Sequence, residues 1–212
     1  MTIGDSDDRN LRVYVVLGRE SEALERARSR YEEDPTLGNL WGLGDIQAYV
    51  GKLEAANSTF EEQMSQSENV DLYEPTTTWI AAKVAVGNME DARELVRQLD
   101  ERIEQRRRGG IDVAPDYLGL GYAHYLIGNR ERGLAELERT VRLGFYVPTF
   151  QAYLEELRND PEFAPLLAAQ RQKQKEQQEI FLTIMCGPDN PIPDFWKPSD
   201  AACDSLSEQA ID

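Results

Sequence analysis

An all-α chain of stacked helical hairpins is the fold this sequence predicts, and three observations carry it. Gly18, Gly51, Gly87 and Gly128 each follow an apolar helical stretch and precede a stretch rich in Glu, Arg and Ala. They recur at spacings of 33, 36 and 41 residues, the length of a unit made of two helices and a turn. The stretch after each glycine repeats one apolar face at i, i+3 and i+4 spacing. Glycine adopts the left-handed conformation that ends a helix, so each of the four marks a tight turn between paired helices. A hairpin this short hides its apolar face only against another hairpin, and the pattern therefore predicts a solenoid.

The second helix of each unit follows from its apolar residues. In the first unit these are Ala23, Ala27 and Tyr31, with Asp34-Pro35 as the stop. In the second they are Ala56, Phe60 and Met64, and in the third Ala92, Val96, Leu99 and Ile103. The fourth carries Leu134, Leu137, Val141 and Leu143. A small residue (Ala23, Ala56, Ala92, Gly133) stands five positions after each turn glycine, where it lets the paired helices approach closely. Extra residues at 66–74 and 108–116 predict longer loops after the second and third units.

After Gly144 the pattern changes. Phe150, Tyr153, Leu154 and Leu157 predict a short amphipathic helix, stopped by Asn159-Asp160-Pro161. Asp160 reads as the N-cap of the next helix and Pro161 as its first turn. That helix buries Phe163, Leu166 and Leu167, turns polar over Arg171–Glu179, and ends in Ile180, Phe181, Leu182, Ile184 and Met185. Its expected role is to cap the array. Four prolines between Gly187 and Asp212 exclude a long terminal helix. The expected organisation is a flexible 1–7, a repeat array over 8–145, capping helices over 146–185 and an extended tail over 186–212. The aromatic pair Phe195-Trp196 in that tail is expected to pack back onto the chain.

Composition narrows the function. A net charge of −16 repels a phosphate backbone, so nucleic acid is not the expected partner, and anionic membrane surfaces are disfavoured for the same reason. Acid concentrates at 36–76, with seven carboxylates against Lys52 alone, which leaves a solvated surface or a basic partner as the two readings. No apolar run is long enough to span a membrane, and 1–10 lacks the apolar core of a secretory signal. No phosphate-binding glycine loop occurs. The one histidine, His124, lies in a packing stretch, and Glu136 and Arg139 read as surface partners. No cofactor or metal site is expected, and the chain is not read as an enzyme. Cys186 and Cys203 are either free thiols or a disulfide closing an 18-residue loop, worth about 3 kcal/mol and implying an oxidising compartment.

The units resemble tetratricopeptide (TPR) repeats. The second has Leu40, Leu43-Gly44, Gly51, Ala56 and Phe60 at the motif's spacing, and the fourth has Tyr117, Leu120-Gly121, Gly128 and Leu137. The first keeps Gly18, Ala23, Ala27 and Pro35; the third keeps Trp79, Gly87 and Ala92 but lacks the Leu-Gly pair. The resemblance spans about 8–145. It implies a right-handed α-solenoid of four hairpins whose first helices line a concave groove. The lining expected by that resemblance is Arg12, Trp41, Asp45, Thr77, Ala81, Leu118, Tyr122 and Tyr125. Carboxylate capture of the kind used by chaperone-binding TPR proteins is not expected, because their Lys, Arg and Asn positions read Trp41, Asp45, Thr77, Ala81, Leu118 and Tyr122 here. The row is apolar and aromatic, which points to a non-enzymatic module holding an apolar or amphipathic peptide. The alternative is a self-assembling solenoid whose tail occupies the groove.

A second resemblance, carried by Leu143-Gly144-Phe145, Asp160-Pro161-Glu162-Phe163 and Leu166-Leu167, is to the ends of repeat regions in bacterial signalling proteins linked to cyclase, kinase or winged-helix domains. It implies a signalling role. The cytoplasm is the expected location, or the periplasm if this is the exported part of a larger membrane protein.

Overall fold

The computed structural model of the chain describes residues 11–67 and 76–186. The expectations for the N-terminus, for part of the 66–74 loop, for the tail with Phe195-Trp196 and for Cys203 fall outside the described residues. The described residues form ten α-helices and no strand. They are α1 (Leu11–Val16), α2 (Glu20–Glu33), α3 (Leu37–Tyr49), α4 (Leu53–Gln66), α5 (Thr77–Ala85), α6 (Met89–Arg108), α7 (Ala114–Leu126), α8 (Arg130–Arg142), α9 (Glu155–Asn159) and α10 (Ala164–Met185). A 3-10 turn at Ala152–Leu154 precedes α9. The chain divides into two compact units at Ala164/Pro165. Residues 146–163 thus fold with the array, and α10 begins the second unit.

Helix ends follow from local chemistry. Thr36 starts α3 and Thr76 starts α5, each hydroxyl accepting a backbone N–H at 3.3 Å. Asn88 caps α6 in the same way, from Asp91 N–H, and Pro115 sits in the first turn of α7. The four predicted turn glycines all have positive φ, 71° to 85°. At each, the glycine N–H bonds the carbonyl three residues back and the next N–H bonds the carbonyl five back, as in Gly51 to Ala48 and Lys52 to Gln47. This is the Schellman closure, and it recurs at Gly110 and Gly144, which end the second helices α6 and α8.

The turns produce four helical hairpins: α1/α2, α3/α4, α5/α6 and α7/α8. Ala23, Ala56 and Ala92 are fully buried at their crossings. A Cβ on Gly44 would lie 2.7 Å from the Phe60 ring, one on Gly121 2.6 Å from Leu137, and one on Gly133 2.8 Å from the Tyr125 nitrogen. The third hairpin has Ile80 where the others have Gly44 and Gly121, and Ile80 is fully buried.

Stacking joins the hairpins through shared cores. Val15, Ala23 and Ala27 of the first hairpin meet Leu43, Ile46 and Tyr49 of the second. Phe60, Trp79, Ile80, Val96, Ile103, Leu120 and Ala123 form one continuous cluster through the second, third and fourth. Each large side chain buried there contributes roughly 1.5–3 kcal/mol. The pairwise, neighbour-to-neighbour packing is that of a helical repeat and fits a TPR-like fold.

Some local expectations change. Leu143 is 53% exposed because it caps α8 rather than continuing its apolar face. Arg139 turns away from Glu136 to stack on the Tyr117 ring and pair with Asp112 at 3.5 Å. The helix expected from Pro161 begins at Ala164; Asp160 Oδ1 accepts the Glu162 N–H at 2.9 Å in a turn instead.

In the second unit, α10 is a polar helix over Arg171–Glu179, with Gln172 bonding Glu176 at 2.9 Å. Its last turns expose Ile180, Phe181 and Ile184. Cys186 follows the helix and is not a free thiol.

Candidate functional site

The first helices α3, α5 and α7 present a common face, and most of the expected site residues are found on it or at its edge. Asp45 of α3 is 8% exposed and joins three helices. It accepts Arg12 Nη2 of α1 at 2.8 Å and the Thr78 hydroxyl of α5 at 2.5 Å. The Arg12 guanidinium also lies 4.8 Å from the centre of the Tyr49 ring. Thr77 is half-buried at the start of α5. Arg12, Asp45 and Thr77 are therefore brought together, although they come from three separate helices.

Trp41 and Ala81 are placed differently. Trp41 packs 4.8 Å from Phe60 and 5.8 Å, edge to face, from Trp79, so its ring belongs with the core. Ala81 is 2% exposed. Leu118 is half-buried on α7.

Tyr122 and Tyr125 of α7 are engaged by the chain itself. Residues 145–160 leave the end of α8, cross the first-helix face and return. Tyr122 donates its hydroxyl proton to the Pro148 carbonyl. The Phe150 and Tyr153 rings pack on Tyr49, at 5.8 and 6.2 Å. The Tyr153 hydroxyl lies 3.4 Å from that of Thr77. Ala152 closes on the Gly51 turn, where a Cβ would meet it at 3.1 Å. Val147, Leu154 and Leu157 of this strap are themselves buried.

The return of the strap is locked by Asp160. Its buried carboxylate accepts Arg130 Nε at 2.6 Å and Nη2 at 2.5 Å, and the Tyr125 hydroxyl at 2.8 Å. The Arg130 hydrogen bonds, helped by the Glu162 N–H, hold this carboxyl far below the ordinary carboxylate range. Burial, reinforced by Asp160, pushes the Tyr125 phenol up to about 12. Burial also raises Tyr49, Tyr122 and Tyr153. All four phenols keep their protons at neutral pH and serve as donors or packing surfaces.

Beside the strap, a pocket of about 330 Å³ is bounded by Arg12, Asp45, Tyr49, Thr76, Thr77 and Thr78 on one side, and by Arg106, Pro115, Asp116 and Gly119 on the other. Arg106 binds Asp116 at 2.8 Å on that second side. A neighbouring pocket of about 430 Å³ shares Arg12 and Asp45 and extends to Arg30, Asn39 and Gly42. The aspartates lie behind and the guanidiniums in front: side-chain exposure is 12% for Asp45 and 56% for Arg12, 9% for Asp116 and 32% for Arg106. The unoccupied part of the face is thus polar, with donors foremost, whereas the covered part is aromatic.

Two features of this region were not evident in the sequence, Arg106 and Lys83, whereas the packing role of His124 was. Arg106 reaches the pocket from the end of a second helix, and its run Arg106-Arg107-Arg108 was the one available signal. Lys83 of α5 is buried and bonds Glu61 of α4 and, at 3.2 Å, Asp91 of α6. His124 is buried against Asp100, 3.2 Å away, and belongs to the α6/α7 packing. Among the described residues no group of three or more acidic, His or Cys side chains is arranged to hold a metal, and no helix is long and apolar enough to cross a membrane.

No family model and no curated protein matches the chain. A solved structure, the MamA RS-1 ArsTM double mutant, aligns over 83% of this chain and 98% of its own, at 17% sequence identity and a TM-score of 0.41. That likeness is too slight to carry an argument, and the properties of the first-helix face are what bear on function.

Proposed function

We propose that this chain is a non-enzymatic protein-interaction module that holds a peptide along the face of α3, α5 and α7. One observation carries the reading. That face already receives a stretch of polypeptide, residues 145–160, through ring stacking and a hydroxyl–carbonyl bond, and continues beyond it into a pocket of about 330 Å³. A peptide seated there lays apolar or aromatic groups toward Tyr49 and Tyr122. It offers acceptors to the Arg12 and Arg106 guanidiniums and the Thr77 hydroxyl. The bound segment is amphipathic, as the tyrosine row implies, with a more polar end than the sequence alone indicates.

Selection of displayed peptides on the purified chain tests this. Binders should lose affinity for Arg12→Ala and Thr77→Val and keep it for Arg97→Ala, an exposed side chain on α6. Equal binding to all three variants would remove the face from consideration.

Self-assembly is the second reading, and one observation favours it. Val13, Val16 and Leu17 expose an apolar strip on the outermost hairpin. Light scattering that shows a monomer at all concentrations ends it. The resemblance at 143–167 supports placing the module in a bacterial signalling system. Cys186, not being a free thiol, supports a disulfide to Cys203 and an oxidising compartment over the cytoplasm. Two titratable thiols in freshly denatured protein would reverse that choice.

A further inference from the structure

We infer that copies of this chain join head to tail: the last turns of α10 in one copy dock on the outer edge of α1 in the next. The inference rests on the self-assembly reading and names the two surfaces that meet; the peptide-binding reading does not enter it.

The first surface is the edge of the outermost hairpin. Val15 turns inward, onto Ala23 and Ala27, and joins the shared core. Val13, Val16 and Leu17 stand at i, i+3 and i+4 on α1 and its closing turn, and all three are exposed, Leu17 by 63%. Tyr14 between them is taken by Arg19 and Arg26, whose guanidiniums lie 4.8 and 4.9 Å from the centre of its ring. A hairpin at the end of a solenoid needs a polar outer face to stay soluble, and this edge is apolar.

The second surface is the apolar end of a polar helix. Of the 22 residues of α10 only Gln170 and Met185 are buried. Its middle, Arg171–Glu179, is polar and suits water. Ile180, Phe181 and Ile184 instead form one apolar turn at i, i+1 and i+4, with both isoleucines 61% exposed. Each surface is thus a set of three apolar side chains on a single helical face.

Charge selects the pairing. Residues 11–19 carry two bases, Arg12 and Arg19, and no acid; residues 176–185 carry two acids, Glu176 and Glu179, and no base. The last turn of α10 has no cation to offset the partial negative charge of the helix C-terminus. Glu179 is held only loosely by Lys175, at 3.9 Å. Arg19 follows Leu17 in the α1/α2 turn, and the carboxylate it binds, Glu22, is shared with Arg26, at 2.9 and 3.1 Å. An α10 end laid on α1 brings Glu179 and the helix terminus to the Arg19 guanidinium. The symmetric pairings are worse: α1 on α1 opposes cation to cation, and one α10 end on another opposes Glu176 and Glu179 to themselves. Opposite signs favour a heterologous contact, in which each copy uses both surfaces and the assembly closes into a ring or grows.

Mixing two variants tests it. Ile180→Glu/Ile184→Glu spoils the helix end and keeps the edge; Val16→Glu/Leu17→Glu spoils the edge and keeps the helix end. All four side chains are exposed, and far-UV circular dichroism checks that each chain is folded. By light scattering, the unaltered chain should gain mass with concentration and each variant alone should stay a monomer. Their equimolar mixture should form a dimer of one copy of each and nothing larger. The milder Leu17→Ala and Ile184→Ala should each weaken association about tenfold, and they decide the outcome if a glutamate pair perturbs the fold. A variant pair that still self-associates, or a mixture that stays monomeric, overturns the inference. An unaltered chain whose association survives every substitution loses the inference alone; one that is a monomer at all concentrations loses the self-assembly reading with it.

Discussion

The two halves of the first-helix face are built from opposite chemistry. Around Tyr49, Tyr122 and Tyr125 the face is aromatic, and the chain covers it with residues 145–160. Around Arg12, Asp45, Thr78, Arg106 and Asp116 it is lined with ion pairs and hydroxyls and bounds a pocket. Exposed rings are a liability in water, whereas exposed guanidiniums are not. The difference teaches where each half gets its stability. The aromatic half depends on a cover, and the polar half depends on internal pairing behind its surface. The polar half is open to solvent as it stands, whereas the aromatic half lies under residues 145–160.

The largest change expected is collapse of the covered half through its support. Gly133→Val places a Cβ against the Tyr125 backbone, where nothing flexible can yield. Separating α7 from α8 should cost about 3 kcal/mol or more, seen as an early unfolding transition in a urea titration. Retained stability would mean that the close crossing is not required.

Removing the lock comes next. Asp160→Ala deletes three side-chain hydrogen bonds to one buried carboxylate and should cost about 2–3 kcal/mol. Loss should be concentrated in faster amide exchange over 145–160. The same lock gives a pH dependence. The Asp160 pKa is depressed in the folded chain, so its contribution is present in full above the unfolded carboxylate value near 4. It declines as the pH falls below about 5 and through the folded value. Tyr125 acts at the other extreme: its raised pKa adds stability below about pH 10 that is lost as the pH rises through about 12. Thermal melts at pH 3 and pH 7 should differ less for Asp160→Ala than for the unaltered chain.

Tyr122→Phe isolates the hydroxyl–carbonyl bond and should cost about 1 kcal/mol, again localised to the strap by amide exchange. The smallest stability effect belongs to the polar half. Arg12→Ala removes an ion pair whose guanidinium is 56% exposed and should change unfolding by less than about 1 kcal/mol. Its effect should appear in peptide affinity. A large stability loss with unchanged affinity would make Arg12 a structural residue.

Much of the array was legible because each turn leaves a local mark. A Schellman closure needs positive φ, only glycine takes it freely, and Gly18, Gly51, Gly87 and Gly128 therefore stand out. Gly110 and Gly144 carry the same mark but end second helices, where the repeat spacing gives no prompt. The first-helix residues Arg12, Asp45 and Thr77 were legible as a set through the repeat register. Trp41 was not, because register alone does not distinguish a ring facing the groove from one turned inward onto Phe60 and Trp79. The strap was hidden for a different reason. Its contacts join residues far apart in the chain, as Tyr153 to Thr77, and it is mostly irregular backbone without periodicity.

Amide hydrogen exchange read with and without a display-selected peptide tests most directly whether the first-helix face is the binding face. Bound peptide should slow exchange in 37–49, 77–85 and 114–126. Slowing confined to the second helices α2, α4, α6 and α8 would contradict it.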